Sequence, residues 1–69
     1  MTIQENKAYI AKGRLDTSLY QGGSKTLINI GDNVFVKQFE RNSVEAGYHV
    51  IVNEEKHFIM WMDLERVLL

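Results

Sequence analysis

Between residues 31 and 62 three short runs rich in β-branched and aromatic residues are separated by glycine- and asparagine-bearing turns. No other feature constrains the fold as tightly. Val34 and Val36 alternate with Phe35 and Lys37, and Tyr48, Val50 and Val52 alternate with His49, Ile51 and Asn53. A period of two sorts side chains onto the two faces of a strand, whereas a helix needs a period near 3.6. His57–Met62 is almost wholly apolar, as strands buried on both faces often are. With no proline in the chain, glycine and asparagine must make the turns.

The same reading extends to the rest of the chain. Lys7–Leu15 puts Tyr9, Ala11, Gly13 and Leu15 on one strand face and Lys12 and Arg14 on the other; a short helix over 5–12 is the competing assignment. Residues 16–24 are rich in turn formers, and Gly22-Gly23 suits a reversal. Gly31-Asp32 between two β-branched runs predicts a hairpin. Residues 40–47 read as a polar surface loop and 53–56 as a turn. Asp63 is placed to cap a single helical turn at 64–66, after which Val67–Leu69 forms a last strand. The competing assignment makes 61–69 one amphipathic helix, with Leu64, Val67 and Leu68 on one side and Met62, Arg66 and Leu69 on another.

Sixty-nine residues make one domain, and so short a chain often needs a staple. Cysteine is absent, so neither disulfides nor thiolate metal sites can serve. A cooperative sheet, a partner or a second copy is expected to do so. The N-terminus lacks a basic region followed by an apolar run, and no segment has the apolar length of a membrane span; the cytoplasm is the expected location. The net charge of −1 gives no general attraction to nucleic acid or acidic lipid. Charge is uneven, at +2 over residues 1–39 and −3 over 40–69.

Taken in order, Gly31-Asp32-x-Val34-x-Val36, Tyr48-x-Val50-x-Val52, Phe58-Ile-Met-Trp61 and Leu64 through Val67-Leu68 resemble the Src-homology-3-like (SH3-like) small barrels. The resemblance covers about residues 27–69 and leaves 1–26 as an N-terminal strand and loop extension. It implies an all-β domain of about five strands with one helical turn near the C-terminus. The Ala-Leu-Tyr-Asp-Tyr motif and late proline of the peptide-binding signalling members are missing, so proline-rich ligands are not expected. Similarity in size and composition to bacteriophage proteins implies a phage or prophage origin.

Candidate chemistry is sparse. His49 and His57, with Glu54 and Glu55, are the only cluster suited to a metal, and two histidines with turn carboxylates fall short of a convergent site. The simplest register sets His57 opposite Val52. No phosphate loop, nucleophile elbow or HExxH motif occurs. A catalytic pocket of roughly 300–1,000 Å³ is not expected from so short a chain. The chain therefore reads as a non-enzymatic binding module that needs no cofactor. The first reading is a regulator or inhibitor of a cellular protein, phage-encoded, binding through Tyr20, Phe39, Arg41 and Tyr48, residue types enriched at interface hot spots. Against it, Phe39 and Tyr48 would fill the core while Tyr20 and Arg41 are merely solvated. The second is a nucleic-acid-binding barrel using Lys12, Arg14, Phe35 and Lys37. The third is a homo-oligomeric structural subunit that buries Met60, Trp61 and Met62 against another copy. No membrane partner is expected.

Overall fold

The computed structural model describes residues 2–18 and 24–69. The chain is mostly β, with strands β1 (Lys7–Ile10), β2 (Leu15–Ser18), β3 (Ser24–Ile28), β4 (Asn33–Arg41), β5 (Ala46–Val52) and β6 (Glu55–Met60), then one helix, α1 (Trp61–Leu68). The strands form two sheets, one ordered β1-β4-β5-β6 and one pairing β2 with β3, and every pairing is antiparallel. Among the described residues no closed barrel forms.

The alternating pattern acts as expected in β4 and β5. Val34, Val36, Val50 and Val52 lie on one face of the larger sheet, each no more than 1% exposed, and Tyr48 and Ile59 continue that face. Ile28 from β3, Leu15 from β2 and Leu64, Val67 and Leu68 from α1 complete the same cluster. Full burial of each such side chain is worth about 1.5–3 kcal/mol.

Three expectations are corrected. The C-terminus is one helix rather than a turn and a strand. Leu64, Val67 and Leu68 form a stripe at helical spacing, and packing on β5 and β6 supplies what two isolated turns lack. Asp63 lies in the first turn and caps nothing; the residue before the helix, Met60, makes no side-chain cap.

Gly31-Asp32 is a corner between sheets rather than a hairpin, because β3 pairs with β2 and β4 pairs with β1 and β5. The local turn does form. Asp32 N–H donates to the Asn29 carbonyl at 3.0 Å, the Asp32 carboxylate accepts from Asn29 N–H at 2.9 Å, and Gly31 adopts φ +93°. The outward groups of this corner bond to Ala11, through Gly31 N–H to Ala11 O and Ala11 N–H to Asp32 O, both 2.9 Å. The chain is thereby turned from the β2–β3 pair into the four-stranded sheet.

The β5–β6 turn is tighter than expected. Val52 faces Glu55, so Asn53 and Glu54 alone make it, with φ of 52° and 66°. His57 consequently faces Val50, not Val52. Two positive φ values suit an Asn-Gly turn, and glutamate there carries the strain of a side chain in the left-handed region.

Two substitutions test these backbone demands. Glu54→Gly should stabilise the fold by about 0.5–1 kcal/mol, seen as a melting temperature higher by about 4 °C. Gly47→Ala should destabilise it by about 1–3 kcal/mol in urea denaturation, since an added methyl would overlap the backbone of Ile59 and Met60 on the neighbouring strand.

Candidate functional site

The site begins with a one-residue slip in β4. Val36 faces Val50, but Gln38 faces His49, which leaves Lys37 as the extra residue of a β-bulge. A bulge re-aims every side chain beyond it. Phe39 is carried onto the face of Val34 and Val36, directly opposite Tyr48, whereas Phe35 stays on the reverse face opposite Ile51. Phe35, Lys37 and Phe39, which simple alternation puts on one face, therefore do not share it. The rings of Phe39 and Tyr48 meet edge to face, with centroids 5.0 Å apart at 62°.

Tyr48 is 6% exposed and Phe39 38%. Tyr48 thus belongs to the core, and Phe39 is the accessible half of the pair. The N-terminal arm, residues 2–6, forms the opposite wall. Ile3 is anchored in the core at 3% exposure, and Gln4 N–H donates to the Tyr9 hydroxyl at 2.9 Å. Asn6, at φ 56°, bends the arm into β1. The Glu5 carboxylate spans to β4 and accepts the Phe39 backbone N–H at 2.7 Å. Between arm and sheet lies an open trough of about 680 Å³ lined by residues 2–6, Phe39 and Tyr48. It is an open depression of the surface rather than an enclosed cavity.

Among the described residues one carboxylate, that of Glu5, lines the trough. Burial first, then the carboxylates of Glu65 and Glu5, push the Tyr48 hydroxyl above its ordinary value of 10.0. Away from the trough, Asp16 is held below 3.8, first by its hydrogen bond with Arg14 and then by one with Thr26.

The other candidate residues are dispersed. Arg41 is exposed at the end of β4 opposite Ala46, two residues beyond Phe39. Tyr20 lies outside the described residues. The turn after Arg41 is shorter than the expected 40–47 loop: Asn42 N–H donates to Glu45 O at 2.9 Å, and the Asn42 side chain accepts from Val44 and Glu45 N–H. Lys12 and Arg14 leave the sheet at the Ile10–Asn33 end, whereas Lys37 lies beyond Val36 at the other. Lys12 N–H donates to Val67 O at 2.7 Å, and Arg14 is paired with Asp16 at 2.9 Å. Lys12, Arg14, Phe35 and Lys37 do not form one surface.

His49 and His57 fall on opposite faces of the sheet, because they face Phe58 and Val50 respectively. On the reverse face His49 bonds the Glu40 carboxylate at 2.7 Å and packs against Phe58, with ring centroids 5.0 Å apart. Among the described residues no three groups of metal-binding type converge, and no helix is long and apolar enough to cross a membrane.

Reading the alternation alone missed the arm and the bulge. Their signals were an apolar Ile3 within the polar run from Thr2 to Lys7 and the odd spacing from Val36 to Phe39. Compared with models of protein families, with curated proteins and with solved structures, the chain has no significant match.

Two outcomes check the site. Glu5→Ala should speed hydrogen exchange at the Phe39 amide while leaving Val34 and Val36 protected, because only Phe39 loses its acceptor. Tyr48 favours its neutral form in the fold, so its contribution to stability is full below pH 10.0 and is lost as pH rises through the raised value. Tyr48→Phe should flatten that alkaline decline in chemical denaturation series.

Proposed function

We propose that this chain is a small non-catalytic binding module that acts on another protein, with the Phe39–Tyr48 trough as the contact surface and Arg41 on its rim. A regulator or inhibitor of a cellular protein, phage-encoded, is the form of that role we favour. The observation that carries the reading is the pairing of an accessible Phe39 with a core Tyr48 beside a strand edge. A rigid aromatic anchor of this kind costs little entropy to bury and is typical of interface hot spots. The SH3-like resemblance of residues 27–69 is proposed alongside it, since such domains work through their surfaces.

The test is recovery of a partner by tagged protein from bacterial lysate, with and without nuclease. Wild type should retain a stoichiometric, nuclease-resistant protein, and Phe39→Ala or Arg41→Ala should reduce its recovery about tenfold while circular dichroism stays unchanged. Equal recovery by both variants, or loss on nuclease treatment, would remove this surface.

One observation favours self-association as a second reading. Trp61 and Met62 are 41% and 60% exposed rather than packed in the core. A melting temperature that rises with protein concentration, and ceases to do so in Trp61→Ala, would support it.

A further inference from the structure

We propose that the partner docks by adding a strand to the exposed edge of β4 at Phe39–Arg41, presenting an extended segment of alternating apolar and basic residues, and that Glu5 guards this edge beforehand. The inference rests on the protein-binding reading above and specifies how that surface works.

The edge is defined by where β1 stops. β1 covers β4 from Asn33, opposite Ile10, to Val36, opposite Lys7, and goes no further. β4 continues to Arg41 with β5 on its other side. Along a strand the hydrogen-bonding groups of successive residues point to opposite sides. Phe39 N–H points away from β5, since it is bonded to Glu5, so Arg41 presents its N–H and C=O on that same edge. The Glu5 oxygen, 2.7 Å from the Phe39 nitrogen, stands where a neighbouring strand would place a carbonyl. Edges of this kind are templates for pairing, and an inward-reaching charge is one way of protecting them. The guard is a single side chain on a short arm, which an incoming strand can replace bond for bond.

Charge and shape select the occupant. Among the described residues Glu5 is the only charged one lining the trough, and Glu65 adds its field at Tyr48. Arg41 lies at the hairpin end of this edge, and Lys7, opposite Val36 at the other end, is turned onto the Tyr9 ring, its nitrogen 5.1 Å from the ring centre. A basic side chain therefore belongs at the Glu5 end of an added strand, with an apolar neighbour against Phe39. Main-chain bonds would give affinity and the alternate side chains specificity.

The experiment uses a lysine–valine alternating octapeptide, its glutamate–valine counterpart, and a lysine–valine peptide N-methylated along one edge. Each is titrated into the full chain while amide shifts and exchange rates are followed. The lysine–valine peptide should slow exchange at Phe39 and Arg41 about tenfold and bind about tenfold more tightly than the glutamate–valine peptide. The N-methylated peptide should leave both amides unprotected, and Glu5→Gln should narrow the gap between the two charged peptides. Equal binding of those peptides, absence of binding, or shifts confined to the Phe35 face would overturn the proposal. So would protection of Phe39 and Arg41 that grows with protein concentration alone, which would assign the edge to a second copy. If a lysate partner still depends on Phe39 while the peptides leave these amides unchanged, strand addition fails and the protein-binding reading survives.

Discussion

Burial of Leu64, Val67 and Leu68 against the valine face of the four-stranded sheet is the contact on which the other elements depend. These residues join α1 to both sheets in a single cluster. The helix they hold also supplies a backbone anchor, since the Val67 carbonyl accepts from Lys12 N–H at 2.7 Å and Gly13 N–H at 3.2 Å. The adjoining Ala11 exchanges hydrogen bonds with Gly31 and Asp32, so the end of the helix, the β1–β2 link and the corner between the sheets form one continuous network. No buried side-chain polar atom among the described residues lacks a partner. A chain without disulfides thus gains its cohesion by tying its C-terminus to its first third.

The candidate site is a consequence of a defect in the strand pattern. Had β4 continued in register, Phe39 would lie with Phe35 on the reverse face, and the core face would end in Gln38 opposite Tyr48. The extra residue at Lys37 exchanges those positions. A buried tyrosine and an accessible phenylalanine then meet at the mouth of the core, where the arm crosses. The apolar floor comes from the sheet, the carboxylate from the arm, and the open edge from the early end of β1.

Charge is managed locally elsewhere on the surface. Arg14 pairs with Asp16, His49 with Glu40, and Arg66 approaches Asp63 at 3.9 Å. These groups are about half exposed, where ion pairs contribute little to stability. Glu5 differs from them because its hydrogen bond is to a backbone donor rather than to a cation.

By itself the sequence determined a mostly β chain, the inward faces of β4 and β5, the turn formers at Gly31-Asp32 and Asn53-Glu54, and the apolar stripe of the C-terminal segment. Each of these is written in local periodicity or backbone preference, which act over a few residues. The tertiary structure alone decided that the strands divide into two sheets, that residues 61–68 coil rather than extend, and that Gly31-Asp32 is a corner. Those outcomes depend on which partners are available: the helical spacing of Leu64, Val67 and Leu68 spans only about two turns, which are marginal until a valine face exists to receive them. The placement of Phe39 beside Tyr48 was half legible, in the odd spacing that follows Val36. The bond from Phe39 to Glu5, thirty-four residues distant, was not, because no local rule links a side chain in one arm to an edge made by another segment.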